Sequence, residues 1–296
     1  SVDCALALGF EQMTPGALGI IFEDRPNPLM RFYEEMESLQ GFDESSPWAA
    51  QFFGGAGLEH IKEYGTSATT LAKIKVKASK HAAKNPFAIF NKEVTEEEVM
   101  NSPMIFNPLT RLQCCPPSCG AAAAIICTEA FAKANNLNTD IAIAAQSMTT
   151  DYSTTFEDHD MRKVVGYDMA KEAAQEVYEA AGISPKDIKV CELHDCFTTN
   201  ELISYEALGL AEEGEAEKFV IDKQNTYGGQ CVTNPSGGLL SKGHPLGATG
   251  LAQCYELVNQ LRGNAGERQV PDVKLGLQHN LGLGGACVVT LYQSLN

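Results

Sequence analysis

Two hydrophobic periodicities alternate along the chain. Val2 to Gly9 is a short apolar run closed by glycine, which predicts a strand, and Glu11-Gln-Met-Thr-Pro-Gly16 carries the turn residues that end it. Gly120-Ala-Ala-Ala-Ala-Ile-Ile-Cys127 is apolar throughout and fits a buried strand or a helix, whereas Thr128 to Ala134 has helical spacing and stops at Asn135-Asn136. Ile141 to Ala145 predicts a buried strand. Residues 168–181 predict an amphipathic helix, because Met169, Ala173, Val177 and Ala180 or Ala181 recur on one face before Gly182. The order after it is strand (188–193), helix (about 200–207), Gly-rich loop, helix (about 247–261) and two strands (274–277, 286–292). Alternation of this kind predicts helices layered on a sheet.

Residues 21–106 read differently. The stretch is polar and irregular, interrupted by Pro26, Pro28, Pro47, Pro86 and Pro103, and predicts an elaborated insertion with short helical patches. Within it, Thr95-Glu-Glu-Glu98 has the capping-box spacing that opens a short acidic helix.

A length of 296 residues accommodates two α/β units, or one with a large insertion. Apolar residues at 44% and charged residues at 20% exclude a disordered or fibrous chain. The longest apolar run, 121–127, is far short of the ~20 residues that cross a bilayer. A net charge of −16 disfavours nucleic-acid binding. Ten cysteines in a chain able to bury a sizeable core read as reduced thiols of an intracellular protein rather than a disulfide framework.

Three segments can carry chemistry. In Glu192-Leu-His-Asp-Cys-Phe197 an extended backbone would aim His194 and Cys196 into one space and Asp195 away, and a nearby imidazole can bring a thiol pKa toward neutrality. The same spacing also fits a buried cysteine and a satisfied histidine at a strand end. In Asn234 to Gly250, glycines and Pro245 deliver His244 on a rigid turn, and the small residues Gly247, Ala248 and Gly250 allow the following helix to pack closely. His279 to Ala286 reads as a glycine-dense turn whose N–H groups could stabilise an oxyanion; no helix follows, so a dinucleotide-type phosphate cradle does not fit. Cys114, Cys115 and Cys119 cluster without the second ligand pair of a zinc site, so no metal is assigned. Lys73, Lys75, Lys77, Lys80 and Lys84, with His81, form either a solvated helix face or a landing site for the phosphates of a nucleotide-like ligand.

These motifs in this order, His194-Asp-Cys-Phe197, Lys242-Gly-His-Pro-Leu-Gly-Ala-Thr-Gly250 and Asn280-Leu-Gly282, resemble the thiolase superfamily in its sterol-carrier-protein branch. Leu6 to Glu11, Asn225-Thr-Tyr-Gly-Gly229, Asn234-Pro-Ser-Gly-Gly238 and Gln278-His-Asn-Leu-Gly282 fit as well, so the resemblance covers nearly the whole chain. It implies an α/β thiolase fold of two layered halves, the first incomplete: 1–20 with 107–137 from the N-terminal half, 21–106 a loop domain over coenzyme A, and 138–296 the C-terminal half. It implies thiolysis of a 3-oxoacyl-CoA by coenzyme A through an acyl-cysteine, with coenzyme A a substrate and no resident cofactor. Most members use a Cys-x-Gly cysteine as acid/base; here that position is Asn280, so the resemblance passes the role to Cys196. His194 and His244 would hold the thioester oxygen, His244 would also activate the nucleophile, and the Gly282 N–H would serve a second oxyanion hole. Lys73, Lys77, Lys80, Cys115, Ser236 and Gly237 are the implied coenzyme A contacts. A homodimer and a peroxisomal setting are implied too, although the chain closes on Gln293-Ser-Leu-Asn296 rather than a Ser-Lys-Leu type signal.

Two departures accompany the resemblance. The family's nucleophilic cysteine precedes the strand matched by Val2 to Gly9, so it is expected upstream of Ser1; Cys4 lies within the strand, without a small-residue helix start behind it, and is not the substitute. Cys119 stands where relatives carry Asp. The alternative expectation is a non-catalytic thiolase-like protein that binds acyl-CoA or assembles with a partner; a decarboxylating ketosynthase would leave Cys196 without a role.

Overall fold

Two continuous apolar runs, near the start of the chain and at 120–127, pair into one ribbon. The computed structural model describes residues 2–14, 16 and 24–296. Strand β1 (Cys4–Glu11) runs antiparallel to β4 (Gly120–Cys127), with Leu6 opposite Ile125 and Leu8 opposite Ala123. The apolar run at 120–127 is thus a strand, though not a buried one: none of its residues is buried and Ile125 is 71% exposed. Between them lie β2 (Met104–Phe106) and β3 (Leu109–Thr110), a small hairpin. A mixed five-stranded sheet follows, built from β5 (Ile141–Thr149), β6 (Val190–Glu192), β7 (Val232–Thr233), β8 (Leu275–Gly282) and β9 (Ala286–Ser294) in the order β5-β9-β8-β6-β7. Strand β6 is parallel to β7 and β8, while β8–β9 and β9–β5 are antiparallel.

The helices are α1 (Met30–Gln40), α2 (Trp48–Tyr64), α3 (Ala68–Ala82), α4 (Glu96–Met100), α5 (Glu129–Ala134), α6 (Thr154–Glu157), α7 (Met161–Val164), α8 (Tyr167–Ala181), α9 (Thr198–Ala207), α10 (Ala216–Ile221), α11 (Gly238–Ser241) and α12 (Thr249–Arg262). Helix α12 packs on the sheet through β8 and on the ribbon through β4 and β1, and α8 covers β5 and β9. These contacts make a layered α/β arrangement, as the alternation predicts.

Three expectations change. Residues 21–106 hold long helices rather than short patches: α2 and α3 span 17 and 15 residues. Glycines within α2 obscured it, and packing explains them, since a Cβ on Gly57 would stand 2.3 Å from Thr199 Cγ2 of α9. Strand β5 is an edge strand with Met148 71% exposed, so it is not fully buried. His279 and Asn280 belong to β8 itself, and the turn narrows to 283–285. The capping box at Thr95 and Glu98 is present, opening α4. The domain boundary expected at 20/21 and part of the turn near Pro15 lie outside the described residues.

Candidate active site

Strand β6 ends at Glu192, so the next residues leave the sheet and their side chains need not alternate. Asp195 is fully buried and turns toward α11, where its carboxyl accepts the Leu239 N–H at 2.7 Å and the Leu240 N–H at 3.4 Å. A Cβ on Gly238 would fall 2.1 Å from Asp195 Oδ2, so that glycine makes room for this cap. The His194 peptide is held from both sides: its N–H points to His279 Nδ1 at 3.4 Å, and its carbonyl accepts from Asn200 Nδ2. The Cys196 carbonyl accepts the Cys115 N–H at 2.9 Å, and Cys114 bridges Phe197.

His244 arrives from the other side. Its N–H donates to Ser118 Oγ at 2.6 Å, and Pro117 bridges it. Ribbon and loop meet backbone to backbone: a Cβ on Gly247 would stand 2.3 Å from the Phe10 carbonyl oxygen, and one on Gly9 2.2 Å from that of Gly247. The expected close packing of the small residues is therefore real at Gly247. The His194 and His244 rings come together edge to face, with centroids 5.0 Å apart.

Burial governs the electrostatics. It holds the His194 imidazole well below its usual pKa, reinforced by His244, His279 and Lys242. Burial brings His244 and His279 each to about 4, so all three rings are neutral near pH 7. Burial also raises the Cys196 thiol well above 9.0, with Cys115 and Asp195 adding to the effect. The expectation of a thiol near neutrality is corrected: Cys196 keeps its proton, which suits a proton donor and not a resting nucleophile.

The other expected site residues differ in their surroundings. Lys77 is buried, not solvated, and its Nζ pairs with the Glu201 carboxylate and donates to Thr233 Oγ1 at 2.8 Å. Lys75 is also buried, donating to the Leu240 carbonyl at 2.6 Å. Lys73 pairs with Glu96 at 2.8 Å, and Lys80 is exposed. Ser236 is walled in, its hydroxyl donating to Glu192 Oε2 at 2.7 Å, and a Cβ on Gly237 would press within 2.5 Å of Ala82 Cβ. Cys115 lies against Cys196 with its thiol pushed up to about 12 by burial. Gly282 ends β8 opposite Ala286. Cys114, Cys115 and Cys119 are free thiols, and among the described residues no cluster of three or more His, Cys, Asp or Glu is placed to hold a metal ion.

Sequence reasoning missed His279, Asn200 and Ser118, which fix the backbones of the two histidines. The sequence assigns His279 to the start of a glycine-dense turn and Asn200 to the start of a helix; only their contacts with the His194 peptide reveal the role.

Residues 150–292 match the family model described as Thiolase C-terminal domain-like. Sterol carrier protein 2 of Bos taurus is 55% identical over 98% of this chain and 54% of its own length. An acetyl-CoA acetyltransferase of Methanothermobacter thermautotrophicus is 38% identical over 98% of this chain and 72% of its own. The crystal structure of human mitochondrial 3-ketoacyl-CoA thiolase superposes with a TM-score of 0.67 at 19% identity, over 99% of this chain and 72% of that one. The chain spans about half the length of the sterol carrier proteins that it matches.

Proposed function

The chain belongs to the thiolase superfamily, in its sterol-carrier-protein branch, and from that premise we propose that it supplies the oxyanion donors and the acid/base thiol for cleavage of a 3-oxoacyl-CoA by coenzyme A. Its fold is the layered α/β thiolase fold, and the 38% identity to an acetyl-CoA acetyltransferase supports an acyltransferase reading. The observation that carries the reading is the pair of neutral imidazoles meeting at 5.0 Å, beside a loop whose buried thiol stays protonated.

In the proposed reaction a thiolate attacks the 3-keto carbon, the C2–C3 bond breaks, and its electrons pass to the thioester as an enolate. That oxygen needs hydrogen-bond donors, which His194 and His244 provide, and its carbon needs a proton, which Cys196 provides. Coenzyme A then displaces the acyl group, and its thiol proton returns to Cys196. Gly282 contributes an N–H to a second oxyanion hole. Coenzyme A enters as a substrate. The division into 1–20 with 107–137, 21–106 and 138–296, a homodimer and a peroxisomal setting in fatty-acid or sterol side-chain oxidation complete the proposal.

The test is thiolysis of acetoacetyl-CoA and of a longer 3-oxoacyl-CoA by the full-length protein. Turnover lost in Cys196→Ala supports the reading. Absence of turnover with both substrates overturns it and leaves acyl-CoA binding without catalysis, which the same preparation reports by calorimetry.

A further inference from the structure

A thiolase-type site asks two incompatible things of one neutral imidazole nitrogen. An oxyanion donor carries a proton and a general base does not, so the resting tautomer of His244 decides which it offers first. The surroundings of its Nδ1 answer this. Thr249, at the start of α12 and 1% exposed, places Oγ1 at 2.7 Å from His244 Nδ1 and at 3.0 Å from the Pro245 carbonyl oxygen. A hydroxyl has one proton to give. The Pro245 carbonyl already accepts the Ala248 N–H at 2.8 Å and the Thr249 N–H at 2.9 Å, which occupy its two lone pairs. Nδ1 is the open acceptor, and 2.7 Å suits a hydroxyl donor better than a ring N–H donor.

We propose that Thr249 is a positioning residue that donates its hydroxyl proton to His244 Nδ1, and thereby holds His244 as the Nε2–H tautomer, a hydrogen-bond donor aimed at the substrate oxygen. His244 is then the preset oxyanion donor and acts as a base only after a tautomer change. The His244 peptide is anchored independently, by its N–H to Ser118 Oγ. The functional role rests on the reading of His244 proposed above, whereas the tautomer is a property of the folded chain and is measured without turnover.

The experiment is long-range proton–nitrogen NMR of histidine-labelled protein at pH 7, with the His244 signals identified by their loss in His244→Asn. Expected is a protonated Nε2 and a bare Nδ1 in the wild type, retained in Thr249→Ser and lost to a mixture of tautomers in Thr249→Val. A proton on Nδ1 in the wild type, or an unchanged spectrum in Thr249→Val, overturns the assignment. Wild type and Thr249→Ser decide the matter even if the valine variant fails to fold. In the full-length protein, kcat of Thr249→Val falls roughly tenfold or more with KM little changed, and Thr249→Ser regains most of it. Wild-type turnover in a Thr249→Val protein with altered tautomers overturns the catalytic role alone.

Discussion

The imidazoles of His194 and His244 meet at an interplanar angle of 88°, their centroids 5.0 Å apart, although one follows a strand of the sheet and the other precedes helix α12. Neither loop alone makes a site. Burial keeps each imidazole uncharged near pH 7.

If both rings serve one developing oxyanion, His194→Ala and His244→Ala should each lower kcat of the full-length protein about 10²–10³-fold. The double variant should fall short of the product of the single effects, because the residues act as a unit. Steady-state thiolysis checks this; full multiplication of the two losses argues for separate roles.

His279 is buried with its pKa brought to about 4 from 6.5, so stability should depend on acid. The folded-state value lies below the unfolded one, so the unfolded chain takes up the proton first as pH falls from 6.5 toward 4, and stability declines over that window. At pH 5 the loss from this residue is about 2 kcal/mol relative to neutral pH. Urea midpoints at pH 7.5 and pH 5 should show the decline, and His279→Gln should lessen it.

Lys77 belongs to the core, so Lys77→Ala should leave Glu201 buried without its cation and cost about 3–5 kcal/mol of stability. Lys80→Ala, at an exposed position, should change stability by less than about 0.5 kcal/mol. Denaturant titration of both variants separates a structural lysine from a surface one.

Gly57→Ala should destabilise by about 1–3 kcal/mol through overpacking of α2 against α9, because its methyl would collide with Thr199 Cγ2. Thr199→Ser removes that methyl, so the double variant should recover part of the loss in thermal unfolding. A double variant no more stable than Gly57→Ala would place the strain elsewhere.

Much of this was legible along the chain. Helix α8 ends at Gly182, which adopts φ 65°, where its glycine stop signal put it, and Thr95 and Glu98 close their capping box. Such features depend on local hydrogen bonding and on periodicity, which neighbours in sequence decide. The motifs around His194, Cys196 and His244 were readable for the same reason, since residue type and spacing carry the chemistry.

Other features depended on partners remote in sequence. That Lys77 is a buried ion-pair member, that the glycines of α2 are packing contacts, and that His279 steadies His194 follow from contacts with Glu201, Thr199 and the His194 peptide. The sequence by itself determined the layered α/β order and the chemical groups at the site. The tertiary structure alone decided their protonation and their juxtaposition, because both depend on burial and on distances between segments that the linear order leaves open.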